Sequence, residues 1–251
     1  MIDLTGRRVV VTGGSRGIGA ACCRLFARAG ASVFLQYMAS GDRAAAVLRD
    51  LRRISDAPHS AVRCDVTDPD QVCKLFDAIK AHWGGLDCLI NNAGVWVHDP
   101  LPDLQPERLQ ATLAVNIIGP FLCARCALPL LADSEDASII NISSTAGQRG
   151  EAFYSAYAAS KGALISATKS WSSELAPGIR VNAVAPGWVD TDMTSDALSG
   201  ERRAAVLASI PLQRIATPED IAASVLFLAS PLARHITGEI LNVNGGSVLV
   251  G

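Results

Sequence analysis

The chain has 251 residues, 49% hydrophobic, 18% charged and only 5% aromatic, with a net charge of -2. This fits one α/β domain with a core of small aliphatic side chains, and it excludes a fibrous or disordered chain and the basic excess of a nucleic-acid binder. Seven cysteines, an odd number, read as reduced thiols of a cytoplasmic protein, the four scattered histidines suggest no metal site, and no apolar run reaches the ~18 residues of a membrane span.

Arg8-Val9-Val10-Val11-Thr12 is a short strand signal, too brief for the apolar core of a signal peptide. It ends in Gly13-Gly14-Ser15-Arg16-Gly17-Ile18-Gly19, and a helical run follows from Ala20 to Arg28, closed by Gly30. The glycine spacing is not G-x-G-x-x-G. Strand, glycine turn and helix nevertheless form the context in which backbone approaches a pyrophosphate and a helix N-terminus offers free N–H groups.

Ser32 to Tyr37 is the second strand. An acid at its end would hold the adenine ribose hydroxyls of NAD, but Gln36, Tyr37 and Met38 are not acidic. Arg16 in the glycine loop and Arg43 beyond the strand can instead pair with a 2′-phosphate. The pattern therefore favours NADP(H) over NAD(H). The plainer reading of both arginines is solvated surface charge, and for Arg43 it is the stronger one.

Gly41 to Ile54 reads as a helix and Ala61 to Cys64 as the third strand, followed by Asp65 where a strand's C-terminal end would meet the adenine. Asp68-Pro69 starts a helix whose face carries Val72, Leu75, Phe76 and Ile79. Leu86 to Ile90 is the fourth strand. It ends in Asn91-Asn92-Ala93-Gly94, small and amide residues that permit close approach to a cofactor or simply form a turn. After a Pro-containing loop from His98 to Pro106, Glu107 to Leu131 reads as one or two helices interrupted near Gly119-Pro120. Asn116 lies inside it. A buried Asn needs partners, and the residues alone favour a satisfied core amide over a proton relay. Cys123 and Cys126 have redox-motif spacing, but no second pair or nearby His supports a metal or redox role.

Ser138 to Ile142 is the next strand and leads into Ser143-Ser144-Thr145-Ala146-Gly147. Tyr157-Ala158-Ala159-Ser160-Lys161 follows on a helical run that continues to Leu175. Tyr157 and Lys161, four apart, share a helix face. A phenol with a pKa of about 10 is a poor acid or base, whereas an ammonium beside it is expected to lower that value and make it a usable proton donor or acceptor. Ser144 is placed to hydrogen-bond an oxygen that gains charge. Standing alone, such a Tyr–Lys pair is ordinary packing. The same chain's dinucleotide loop favours the chemical reading.

Ile179 to Val184 is a further strand, running into Pro186-Gly187-Trp188-Val189-Asp190-Thr191-Asp192. Thr194 to Ile210 lacks a core stripe and reads as a mobile lid or substrate loop. Pro218 to Leu228 is the final helix, and Gly238 to Gly246 a last strand and turn. With no repeat, low-complexity segment or linker, residues 1–251 read as a single domain.

Together these motifs resemble the short-chain dehydrogenase/reductase family over essentially the whole chain, most nearly its 3-oxoacyl-carrier-protein reductase-like group. Thr12-Gly13 with Gly17 and Gly19 is similar to the family's T-G-x-x-x-G-x-G loop. Asn91 to Gly94 matches N-N-A-G, and Asn116, Ser144, Tyr157 and Lys161 fall in the order of the catalytic tetrad. Pro186-Gly187 with Val189 and Thr191 resembles the nicotinamide-contacting segment. Gly14, where Ala is frequent, and Asn244, where Asp often precedes Gly-Gly, are departures. The resemblance implies a Rossmann-type doubly wound parallel sheet of order 3-2-1-4-5-6-7 with helices on both faces. It implies Tyr157 as proton donor or base, Lys161 as tuner of Tyr157 and holder of the ribose, Ser144 as polariser of the substrate oxygen and Asn116 as support of a water-borne proton path. Cofactor contacts would include Gly13, Ser15, Arg16, Gly17, Ile18, Gly19, Tyr37, Asp65, Val66, Asn92, Ala93 and Gly94. The implied partner is a small carbonyl or alcohol substrate, in a homotetramer. A sugar or polyol dehydrogenase is the nearest rival reading, and a catalytically silent cofactor-binding regulator is the alternative of another class. Trp96, Phe153, Trp188 and Met193 offer a mildly apolar substrate side. Arg149, Arg202 and Arg203 are candidates for a carrier-protein entrance, though solvated charge is the better reading.

Overall fold

The fold is seen in a computed structural model that describes residues 2–249. Short Val/Ile/Leu runs without polar alternation favour strands covered on both faces. They form one parallel sheet of seven strands in the order β3-β2-β1-β4-β5-β6-β7. The strands are β1 Arg8–Val11, β2 Ser32–Tyr37, β3 Ser60–Arg63, β4 Cys88–Asn91, β5 Ala137–Ile142, β6 Ile179–Pro186 and β7 Ile240–Val243. Every residue of β4 and β5 is buried.

Two apolar layers sandwich the sheet. On one face lie α1 Gly17–Arg28, α2 Gly41–Ile54 and α9 Pro218–Ala229. On the other lie α3 Pro69–Trp83, α5 Gly119–Leu131 and α7 Ser155–Glu174. The order reverses where β1 pairs with β2 on one side and β4 on the other. In open parallel sheets the crevice beyond the strand ends at such a reversal is where ligands bind.

Elements end where their chemistry says. Asp68 caps α3, accepting from the N–H groups of Asp70 and Gln71 at 2.9 and 3.1 Å. Thr217 and Asp220 form a reciprocal capping box at the start of α9. At the opposite end of the sheet from the crevice, Asp87 accepts from Arg8 N and Nε, both at 2.8 Å, and from Ser134 Oγ at 2.7 Å. Burial alone would raise this carboxyl, but those hydrogen bonds outweigh it and hold it below the ordinary carboxylate range.

Several expectations change. The first helix starts at Gly17, not Ala20, so the glycine loop supplies its first turn. The helix expected over Glu107 to Leu131 is found, but against the expectation on membrane-span length it is long and apolar enough to cross a membrane by length and composition: α4 Pro106–Leu113, a π-helical turn Ala114–Ile118 and α5 join head to tail from Pro106 to Leu131. Cys123, Ala124, Ala127, Leu130 and Leu131 bury that run's inner face in the core beneath the sheet, which is the physical reason for its apolarity. The supposed lid has a core after all. Leu198, Val206, Ile210 and Ile215 form a satellite apolar cluster with Trp188 beside α8 Gly200–Ala208. Its members come from a turn, a helix and a loop, so no periodicity announces them. Finally, Cys126 has its sulfur neighbour in Cys73 of α3, at 3.6 Å, rather than in Cys123, which is buried in the core.

Candidate active site and cofactor cleft

The glycine loop is held by polar side chains from the strands around it. Gln36, buried at the end of β2, accepts from Gly13 N at 2.8 Å and donates to Cys64 O. Thr12 Oγ1 accepts from the N–H groups of Asn92 and Ala93, both at 3.0 Å. Asn92 Nδ2 donates back to Thr12 O at 2.8 Å and Gly13 O at 3.2 Å. The amide expected near a cofactor ribose thus spends its N–H groups on the loop. Gly17 takes φ +51°, the left-handed region that favours glycine. No side chain caps α1 and no acid lies in its first turn, so its leading N–H groups remain available to an anion.

Gly14 explains its own departure from Ala. A Cβ there would lie 2.9 Å from Leu35 Cβ and 3.0 Å from Cys23 Sγ. Asn244, the other departure, donates from Nδ2 to Val248 O at 2.8 Å and accepts from Gly246 N at 2.9 Å. A carboxylate could not make the first of these bonds.

A cleft of about 410 Å³ opens at the strand ends. Every candidate cofactor residue lines it except Gly19. Gly19 is packed under the loop, where a Cβ would come within 2.3 Å of Gly13 O; its smallness serves the packing of α1 on the loop. Asp65 and Val66, just beyond β3, line the cleft, one Asp65 carboxylate oxygen accepting from Thr67 N and Oγ1 at 2.9 and 2.7 Å. Arg16 lines it as well, but both Arg16 and Arg43 face Asp192.

Ser144, Tyr157 and Lys161 line the same cleft. What brings them together is a close approach of two helices. Gly147, in the short α6 Ala146–Arg149, lies against α7 so tightly that a Cβ would meet Lys161 C at 2.5 Å and Gly162 N at 2.6 Å. Ser143 Oγ donates to Lys161 O at 2.8 Å, fastening the same joint. Ser144 Oγ accepts from Ala146 N at 3.1 Å.

Lys161 is buried, and its Nζ donates to Ile142 O at 2.8 Å while lying 5.8 Å from the centre of the Tyr157 ring. The expected lowering of the phenol pKa is not found. Tyr157 keeps some exposure to the cleft, but its hydroxyl lies deep. Burial pushes its pKa up to about 12, opposed by the Ser144 hydroxyl and raised further by the charge of Glu151. Burial also pulls Lys161 down to about 8. Desolvation is the leading cause of both shifts. Tyr157 is therefore a protonated donor at neutral pH.

Asn116 does not line the cleft. It is fully buried in the π-helical turn, a distortion that commonly marks functional positions. Its Oδ1 accepts from Val95 N at 2.9 Å, and its Nδ2 donates to Val95 O and Ser160 Oγ, each at 3.0 Å. It is satisfied, as a core amide must be, yet it still borders the site. A Cβ on Gly94 would meet Asn116 Oδ1 at 3.3 Å and Lys161 Nζ at 3.4 Å. A buried polar chain runs behind it, from Asn91 Nδ2 to Asn141 Oδ1 and from Asn141 Nδ2 to Thr168 Oγ1, both at 2.9 Å.

Among the residues expected on the substrate side, Trp96 stacks on Tyr154 with ring centres 4.3 Å apart and meets Trp188 edge-on at 6.1 Å. Its Nε1 donates to Glu151 at 3.2 Å. Phe153 is 63% exposed and holds φ +67°. The sequence points to Trp96, Phe153, Trp188 and Met193, the last lining the cleft, and to Thr12 within the glycine-loop motif, but not to Tyr154, Glu151 or Gln36. In the sequence Gln36 stands out only as a non-acidic residue at a strand end. Its burial between two strands left no periodic signal. Among the described residues no cluster of three or more His, Cys, Asp or Glu side chains could hold a metal.

A family model described as enoyl-(acyl carrier protein) reductase matches residues 13–247. The chain belongs to the short-chain dehydrogenase/reductase family. Among this family's curated members it is 38% identical over 250 residues to the 3-oxoacyl-(acyl-carrier-protein) reductase FabG of Vibrio cholerae, covering 99% of this chain and 100% of that one. It is 41% identical over 248 residues to the cis-4-hydroxycyclohexanecarboxylate dehydrogenase of Sinomonas cyclohexanicum, covering 97% of each. A Burkholderia cenocepacia short-chain dehydrogenase solved in complex with NADP superposes with a TM-score of 0.92 at 37% identity, over 97% of this chain and 98% of that one. Like its family, the chain is an NAD(P)-dependent oxidoreductase that interconverts a carbonyl and a CH–OH group of a small-molecule substrate.

Proposed function

We propose that the chain is an NADPH-preferring reductase of small ketones, with a 3-oxoacyl thioester as the substrate class. The observation that carries the reading is one cleft that unites the glycine loop and the free N-terminus of α1 with Ser144, Tyr157 and Lys161. The loop and helix end fit a pyrophosphate, and the narrow floor at Gly94, between Asn116 and Lys161, fits a flat ring.

When bound, the dinucleotide supplies the hydride. Tyr157, protonated at neutrality, delivers its proton to the carbonyl oxygen, and in the reverse direction takes it back. Ser144 holds that oxygen by hydrogen bond. Lys161, partly charged near its lowered pKa of about 8, favours the phenolate left behind and holds the nicotinamide ribose. Asn116 positions the 93–95 backbone and supports the proton path towards Lys161. Arg16 and Arg43 take the 2′-phosphate, while Gln36, buried, leaves no acid for a ribose hydroxyl. Assembly as a homotetramer and residence in the cytoplasm complete this reading; seven free thiols suit a reducing compartment.

A second substrate class has its own support. The Trp96, Tyr154 and Trp188 rings suit a cyclic alcohol or ketone, and the Sinomonas relative is named for one. The test is binding of NADPH and NADH followed by turnover of acetoacetyl thioesters, cyclohexanones and sugars. Tight NADPH binding with thioester turnover is expected. Turnover of cyclic ketones alone selects the second class, and preferred NADH overturns the cofactor reading. Arg16→Ala is expected to weaken NADPH more than NADH; equal losses would reject its pairing with a 2′-phosphate.

A further inference from the structure

Two arginines from separate elements converge on one carboxylate. Arg16 belongs to the glycine loop, Arg43 to the first turn of α2, and Asp192 to the turn that follows β6. Arg43 Nη1 donates to Asp192 Oδ2, and Arg16 Nη1 stands 3.9 Å from that same oxygen. Both arginines hold the Asp192 carboxyl below its ordinary range, Arg43 more strongly. Asp192 and Arg16 both line the cleft, beside Met38 and Ser40 at the end of β2.

We propose that Asp192 is a cofactor-selecting latch: its carboxylate occupies, on Arg16 and Arg43, the place that a 2′-phosphate takes. The proposal rests on the NADP reading above and adds the residue that sets the strength of that preference. A phosphomonoester carries more charge than a carboxylate and offers three acceptor oxygens. It can displace Asp192 from both guanidinium groups, whereas a ribose hydroxyl cannot. The exchange is cheap because the side chains are half exposed, 55% and 56% for the arginines and 51% for Asp192, and exposed ion pairs are weakly held. NADP(H) therefore frees the turn at 191–194 from Arg16 and Arg43, while NAD(H) leaves it fastened. The turn keeps its own shape without the latch: Thr194 Oγ1 donates to Val189 O at 2.5 Å, and Thr194 N donates to Thr191 O at 3.0 Å.

The experiment measures Kd for NADPH and NADH in the full-length protein, wild type, Asp192→Asn, Arg43→Ala and the double variant, with melting temperature as a check on folding. Asp192→Asn should tighten NADPH by about two- to fivefold, the size expected from releasing exposed ion pairs, and leave NADH within error. In the Arg43→Ala background that gain should shrink. An unchanged NADPH/NADH ratio in Asp192→Asn, or a gain of equal size without Arg43, rejects the latch while the NADP preference stands. A wild-type preference for NADH removes the underlying cofactor reading and the latch with it.

Discussion

Lys161 Nζ sits 5.8 Å from the Tyr157 ring centre and gives a hydrogen bond to Ile142 O at 2.8 Å, so the lysine is tied to the end of β5 rather than to the phenol. Burial sets both groups: Tyr157 is pushed to about 12 and Lys161 pulled to about 8. If Lys161 holds the ribose as a cation, NADPH affinity should fall as pH rises through about 8, where the ammonium loses its proton. Lys161→Met should bind more weakly and show no such inflection. Isothermal titration of NADPH from pH 6.5 to 9.5 reads both, and a wild-type affinity flat across that range would remove Lys161 from cofactor binding.

Asn116 offers a separate test, because it satisfies both polar groups of Val95. Asn116→Ala leaves the N–H and C=O of half-buried Val95 without their partner, while Ser160 Oγ keeps its bond to Tyr157 O at 2.7 Å, and orphaned polar groups cost about 1–3 kcal/mol each. Denaturant unfolding should show a loss of at least that size, with kcat reduced alongside. A variant as stable as wild type would mean that water replaces the amide at no cost.

Gly14→Ala puts the family's more frequent residue where Leu35 and Cys23 leave no room. Overpacking of this kind costs about 1–3 kcal/mol. Adding Cys23→Ala should recover part of it by removing the sulfur. If Gly14→Ala alone is neutral in thermal melting, the loop has more slack than its packing shows.

Asp220 carries a pH prediction. The hydrogen bond from Arg214 lowers it to about 2, against partial burial, with help from Thr217. A carboxyl depressed in the fold contributes stability that is present above its unfolded pKa of about 3.9 and lost as pH falls towards the folded value. The melting-temperature difference between wild type and Asp220→Asn should therefore be largest above about pH 4 and close as pH approaches 2. A difference that stays constant over that window contradicts the assignment.

The fold was legible because its signals are local. Ser32 to Tyr37 and Gly41 to Ile54 read from sequence coincide with β2 and α2 at both ends, since a Val/Phe/Leu run and an Ala/Leu/Arg run are each bounded by turn residues. The sheet order followed from the family resemblance. The site residues were legible as motifs, but their energetics were not. Nothing in the spacing of Tyr157 and Lys161 tells how deeply each is buried, and burial decides the sign of the phenol's shift. Pairings between distant residues were invisible for the same reason. Arg43 and Asp192 lie 149 residues apart, and Cys73 and Cys126 lie 53 apart. The π-helical turn around Asn116 leaves no mark in the sequence beyond an interruption near Gly119-Pro120, and its clamp on Val95 joins residues 21 apart.

The central claim is that Tyr157 moves the proton. The most direct measurement is single-turnover reduction of acetoacetyl thioester or cyclohexanone by Tyr157→Phe beside NADPH binding to the same variant. The account predicts a rate lower by at least 100-fold, the usual scale for loss of a positioned general acid, with NADPH affinity close to wild type. Near-normal turnover without the hydroxyl would contradict it.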